Sequence, residues 1–215
     1  MTAAAEQAKI TALPAYLDLA EPDLSTAARQ LAHAGHTTAV VVPLLFTEAF
    51  HATVDVPETV RDVVQALALE LVVADILGTG DDVADLLRQT MSEAGVDNDS
   101  EAGVDNDSSV LLFGVGSSSP AANEAVVDLA ARLAEGRRNP VRACFGTCHP
   151  GVADVVEGLP EPIAILPLFL ADGLLLSPVR ALAAERGWRI AEPLGERAAG
   201  LVLERYDSAC EQLAS

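Results

Sequence analysis

Runs rich in Val, Ile and Leu alternate along the chain with stretches whose apolar residues recur at helical spacing. That is the pattern of a parallel sheet covered by helices, so the fold class expected is α/β. Strands are expected at Ile10 to Leu19, Thr38 to Phe46, Glu70 to Leu77, Val110 to Val115, Val141 to Phe145, Pro162 to Leu170 and Trp188 to Glu192. Helices are expected at Asp23 to His33, Glu58 to Ala68, Asp81 to Met91, Pro120 to Glu135, Val152 to Glu157, Leu174 to Arg186 and Gly195 to Leu213. The longest apolar run, Ala39 to Phe46, has the length of a buried strand and is too short to span a bilayer.

Two repeats lie over this pattern. The octapeptide EAGVDNDS occurs twice in succession, Glu93 to Ser100 and Glu101 to Ser108, and reads as a polar linker. Its carboxylate spacing lacks the ligand pattern and closing Glu of an EF-hand. The second repeat is weaker and longer. AYLDLAEPDLSTA from Ala15 aligns with ACFGTCHPGVADV from Ala143, VVPLLFTEAFH from Val41 with ILPLFLADGLL from Ile165, and VADILG from Val73 with IAEPLG from Ile190. Three blocks in the same order indicate two half-domains of one design. They place Glu21 opposite His149, and His51 opposite Leu175. The expected organisation is therefore residues 1–92 as a first half, 93–109 as an acidic linker and 110–215 as a second half. The second half opens with SVLLFGVGSSSPAAN, which has no counterpart in the first, so the first half lacks an opening strand and its sheet is expected to show an open edge.

At 215 residues, 50% of them hydrophobic, the chain can bury a real core, which excludes a disordered or fibrous protein. Thirteen basic against 32 acidic residues leave a net charge of −19, which disfavours nucleic acid and anionic membranes as partners. The N-terminus lacks the basic start and apolar centre of a secretory signal, and a cytoplasmic location is expected. Cys144, Cys148 and Cys210 do not form a disulfide framework.

Few residues carry candidate chemistry. FGVGSSSPAAN, Phe113 to Asn123, is a glycine turn between a strand and a helix. It is neither a P-loop nor a dinucleotide fingerprint, and reads either as an anion site or as a tight turn capped by Ser118 or Ser119. His33 and His36 flank Gly35 at a helix end, which suits an imidazole with no further role. CFGTCH, Cys144 to His149, has one residue too many between its cysteines for a haem attachment motif. His149 remains a functional candidate through its match with Glu21. Arg137, Arg138 and Arg142 read as a helix end, or as a dock for an acidic substrate. His51 and Glu21 each follow an expected strand, and open α/β sheets bind ligands beyond the carboxyl ends of their strands. A carboxylate and an imidazole in one crevice suit a borderline divalent cation with positions left open for exchange; the plainer reading is a helix-start carboxylate and a strand-end histidine.

The blocks YLDLAEPDL (Tyr16 to Leu24), VVVPLLFTEAFHATVDVP (Val40 to Pro57) and ILPLFLADGLL (Ile165 to Leu175) resemble the sirohydrochlorin chelatase family of the CbiX and SirB type, with FGVGSSSPAAN similar to that family's glycine-histidine-glycine strand end. The resemblance implies a class II chelatase of two similar α/β half-domains, inserting Co2+ or Fe2+ into sirohydrochlorin on the way to cobalamin or sirohaem. It implies no tightly bound cofactor, the metal and the tetrapyrrole being substrates; the open sheet edge, separately, is compatible with a homodimer. Of the family's three metal ligands, the glutamate of the AEP block matches Glu21 and the histidine of the block ending VDIP matches His51. The histidine after the first strand has no counterpart here; the matching turn of the second half carries Val115 between its glycines, and Glu48 and Ala49 stand where the family more often has Ala and Gly. The catalytic and metal-binding residues implied are thus Glu21 and His51. The alternative is a noncatalytic metal- or tetrapyrrole-binding relative that has lost a ligand.

Overall fold

The computed structural model describes residues 2–17, 20–48, 60, 67, 69–96 and 108–213. These form two compact units, Thr79–Ala198 and Met1–Gly78 with Ala199–Ser215.

The second unit is a four-stranded parallel sheet, order β4-β3-β5-β6, made of β3 (Ser109–Gly114), β4 (Val141–Phe145), β5 (Ile163–Pro167) and β6 (Arg189–Ile190). β3 runs between two neighbours and every one of its residues is buried, which is why its sequence, SVLLFG, shows no polar alternation. Phe113, 1% exposed, stacks on Phe169 with ring centroids 5.6 Å apart. The helix α4 (Pro120–Ala134) starts at the cap Ser119 with Pro120 in its first turn, and buries Ala122, Val126, Leu129 and Leu133, one face at helical spacing. α5 (Val152–Val156) and α6 (Leu176–Arg186) follow β4 and β5.

The first unit holds α1 (Thr2–Ala8), α2 (Leu24–His33), β1 (Thr38–Val41) and β2 (Glu70–Val73), with β1 and β2 parallel. Here the internal repeat appears in the backbone. Val41 pairs with Val73 in β1–β2 as Ile165 pairs with Ile190 in β5–β6. The next amide bonds also match, Ala74 N–H to Val41 O and Ala191 N–H to Ile165 O, both 2.9 Å.

Each unit takes a helix that the linear sequence order assigns to the other half. α3 (Asp81–Glu93) belongs to the second unit and packs on α4, where Arg88 donates to the Arg132 carbonyl at 2.9 Å. The last helix, α7 (Ala199–Leu213), packs on β1, β2 and α1 in the first unit, and its Arg205 donates to the carbonyls of Ile76 and Leu77 at 2.9 and 2.7 Å. The unit boundaries therefore fall at 78/79 and 198/199 rather than at the duplicated octapeptide. An amphipathic stripe signals that a helix packs, and does not say on which sheet. Glu93, where the octapeptide begins, ends α3 and pairs with Arg197 at 2.8 Å; residues 97–107 lie outside the described residues.

One expected strand is corrected. Residues 10–17 form no strand, only the isolated bridge Tyr16 to Asp23. Their side chains are mostly exposed, and Pro14 offers no amide to a ladder. Preceding them, TAAAEQA forms α1, a helix the hydrophobic pattern does not announce. The expected helix Glu58 to Ala68 lies outside the described residues, apart from Val60 and Leu67. Among the described residues the first unit's sheet has two strands against four in the second, and repeat-matched side chains are correspondingly more open: Leu44 is 39% exposed where Leu168 is 4%, and Leu17 39% where Phe145 is 4%.

Cys144 lies within β4, and burial pushes its thiol up to about 12. Its reactive thiolate is accordingly scarce at neutral pH. Iodoacetamide is expected to modify the partly exposed Cys148 and Cys210 in the native protein and Cys144 only after unfolding, read as intact mass; three labels on the native chain would contradict the buried placement.

Candidate functional site

Glu21 sits in a turn that delivers the chain into α2. Tyr16 N–H donates to the Pro22 carbonyl at 2.9 Å, and the Asp23 side chain caps α2 by accepting from Thr26 N–H at 2.7 Å. Those bonds from the Thr26 side chain and backbone hold the Asp23 carboxyl below the usual carboxylate range. The cap is therefore ionised at neutral and mildly acidic pH, and its stabilisation is lost only as pH falls through that lowered value. Glu21 is exposed, and its Oε2 accepts from Asp23 N–H at 3.1 Å. A carboxylate has further lone pairs, so one backbone bond orients the group and leaves it free to take a cation.

Leu24, the first residue of α2, is buried with Val60 in a small cluster against which Val41, the last residue of β1, and Leu71 of β2 pack. Glu21 lies three residues before Leu24. From the carboxyl end of β1 the chain runs on through Val42 to Glu48 toward His51. His51 itself lies outside the described residues. Among the described residues no three His, Cys, Asp or Glu side chains are grouped to hold a metal ion.

The second unit has a turn of the same kind, one residue shorter and with different chemistry. Phe145 N–H donates to the Pro150 carbonyl at 2.9 Å, and α5 follows at once. His149, in the place of Glu21, bonds through Nδ1 to Asp154 Oδ2 at 2.7 Å, and Asp154 Oδ2 also accepts from Gly151 N–H at 2.7 Å. The Gly151 N–H first, then His149, holds the Asp154 carboxyl below its usual range. The turn after β3 is joined to this one: Thr147 donates to the Val115 carbonyl through both N–H, 3.0 Å, and Oγ1, 2.8 Å. Gly116, at φ +88°, allows the approach, since a Cβ there would lie 2.7 Å from Cys148 Sγ.

Several of the other candidates have local partners. In the turn after β3, Ser117 N–H donates to Asn123 Oδ1 at 2.9 Å, Ser119 N–H to Ser117 Oγ at 3.1 Å, and Ala122 N–H to Ser119 Oγ at 3.4 Å, so the capped-turn reading describes the segment. His33 Nδ1 donates to the Arg29 carbonyl at 2.8 Å. Arg137 is half-buried and donates to the Ser108 carbonyl at 2.7 Å. No described helix is long and apolar enough to cross a membrane. Asp154 is a polar partner that the sequence pattern did not single out. Its signal was present, an acid at the third helical position after His-Pro-Gly, where it can reach back to the turn.

Matching β1–β2 and β5–β6 registers, with Glu21 in the turn of one unit and His149 at the repeat-matched place of the other, define an α/β protein of duplicated design. The chain belongs to the CbiX family, whose model matches residues 2–94 and 109–208, the family of the sirohydrochlorin chelatases. It is 28% identical over 175 residues to a sirohydrochlorin ferrochelatase of Priestia megaterium, covering 77% of this chain and 62% of that protein. A sirohydrochlorin cobaltochelatase of Sulfurisphaera tokodaii is 27% identical over 78 residues, 36% of this chain and 62% of that protein. The solved structure of SirB from Bacillus subtilis with Fe3+ matches at a TM-score of 0.75 and 25% identity, covering 100% of this chain and 90% of the other. The chain spans 62% to 63% of the length of the ferrochelatases it matches.

Proposed function

We propose that this chain inserts a divalent metal, Co2+ or Fe2+, into sirohydrochlorin or a closely related tetrapyrrole, with Glu21 and His51 holding the incoming ion. The observation that supports the reading is the turn before α2, in which Glu21 is exposed and its Oε2 accepts only a backbone bond, from Asp23 N–H at 3.1 Å. Membership of the CbiX family supports the reaction class, and relatives named for iron and for cobalt support testing both metals.

The chemistry asks for few parts. Two pyrrole N–H bonds must break, four metal–nitrogen bonds must form, two of them to the nitrogens that lose protons, and the ion must shed water. A pair of protein ligands leaves most of the coordination sphere to water, which the ring nitrogens displace. Carboxylate and imidazole are a suitable pair for Fe2+ and Co2+. His51 cannot use one lone pair for metal and proton at once, so both residues are assigned to the ion. The acidic chain repels a substrate rich in carboxylates at long range, an effect that salt screens.

The absence of a counterpart to the family's first-strand histidine favours a second reading, in which the chain binds metal or tetrapyrrole without joining them. One assay separates the two. Purified protein is mixed with sirohydrochlorin and Co2+ or Fe2+, and the absorption spectrum is followed against a protein-free control. Acceleration of the spectral change is expected; binding of the ring with no acceleration rejects insertion in favour of the second reading.

A further inference from the structure

We propose that the second unit carries its own site for a metallated tetrapyrrole, with His149 Nε2 as the axial ligand to the metal in the ring; only the choice of ring rests on the reading of the chain as a chelatase. Every residue of the site belongs to Thr79–Ala198.

Three loops meet at the carboxyl end of that unit's sheet. The turns after β3 and β4 are joined by the two bonds from Thr147 to the Val115 carbonyl. The loop after β5 reaches the same place, since a Cβ added to Gly146 would lie 3.7 Å from Leu175 Cδ2. Each loop contributes an exposed side chain: Val115, His149 at 92% and Leu174 at 91%. Open α/β sheets bind ligands at this end.

His149 is set for a metal. Asp154 accepts from Nδ1 at 2.7 Å, so the neutral ring keeps its proton there and its lone pair on Nε2. Gly151 N–H donates to the same Asp154 oxygen at 2.7 Å and anchors it. An imidazole whose far nitrogen donates to a held carboxylate is the usual form of a metal-ligating histidine. A free ion would need more ligands, and among the described residues no three His, Cys, Asp or Glu side chains are grouped to supply them. A metallated ring brings four nitrogen donors of its own, so a single imidazole completes its axial position, as a proximal histidine does for haem iron. Val115 and Leu174, otherwise left in water, offer apolar surface to the flat ring while its carboxylates stay in solvent. Binding moves no proton: Nε2 gives its lone pair to the metal in place of a water, and Nδ1–H stays bonded to Asp154. Asp154 is a positioning residue, since its bonds go to His149 and to Gly151 N–H.

The experiment titrates cobalt(II) sirohydrochlorin, prepared beforehand and kept free of oxygen, into the wild-type chain, His149→Ala, His149→Gln, Asp154→Asn and Leu174→Asp, with folding checked by circular dichroism. Electron paramagnetic resonance of the wild-type complex is expected to show the triplet splitting of one axial nitrogen on low-spin Co2+. Both His149 variants are expected to lose the splitting and to bind about 100-fold more weakly, whereas Asp154→Asn keeps it and binds about tenfold more weakly. Leu174→Asp is expected to keep the splitting and to weaken the binding of cobalt-loaded and metal-free rings alike. A splitting that persists in folded His149→Ala, or that disappears in His51→Ala instead, overturns the assignment. So do a wild-type complex without an axial nitrogen and unchanged affinity in Leu174→Asp. Because the metal is already in the ring, failure to insert Co2+ or Fe2+ with the splitting intact overturns the chelatase reading and leaves this site standing.

Discussion

His51→Ala is expected to reduce metal insertion by about 100-fold or more, beyond the 10- to 100-fold typical of losing an outer-shell partner of a metal ligand. Glu21→Ala is expected to match it. Glu21→Gln separates charge from shape, because an amide oxygen can still accept the Asp23 N–H that Glu21 accepts at 3.1 Å. With the turn intact and the charge gone, Glu21→Gln is expected to behave as Glu21→Ala does. Initial rates with Co2+ and with Fe2+ measure this. Full activity in either alanine variant, or in Glu21→Gln alone, would show that the carboxylate–imidazole pair does not hold the ion.

The largest effect on stability is expected from Phe113→Ala. Phe113 sits in the fully buried central strand of the second unit, 1% exposed and stacked on Phe169. Truncating such a ring costs about 3–5 kcal/mol, through lost burial and the cavity left behind. That is a large part of the roughly 5–15 kcal/mol that separates native from unfolded domains. Urea unfolding followed by circular dichroism should show the midpoint fall accordingly. A loss below about 1 kcal/mol would mean that the strand is not the packed centre.

Much of this fold was legible because a parallel strand buried on both faces leaves a continuous apolar run. β4 was expected at Val141 to Phe145 and forms over those residues, and β3 and β5 differ from expectation mainly at their ends. The internal repeat was legible for the same reason, and the matching registers of Val41–Val73 and Ile165–Ile190 follow from it. What escaped depends on partners rather than on pattern. ITALPAYL has the apolar content of a strand, yet it carries Pro14 and forms no ladder, only the isolated bridge at Tyr16. The exchange of α3 and α7 between units is equally silent, because helix periodicity specifies a buried face without naming the surface that buries it.

The site divides in the same way. Glu21 stood out through the AEP block, and the structure sets it in the turn before α2, its Oε2 accepting from Asp23 N–H. The bond between His149 and Asp154 was not drawn from sequence, because a surface acid five residues after a histidine has many possible orientations. Only the turn through Pro150 and Gly151 directs it back.

The central claim is that Glu21 and His51 meet on one ion. Crystals of the chain grown with Co2+, with diffraction recorded on both sides of the cobalt absorption edge, test it directly. The account predicts an anomalous peak bonded to a Glu21 carboxylate oxygen and a His51 ring nitrogen; a peak elsewhere, with the two side chains directed apart, would contradict it.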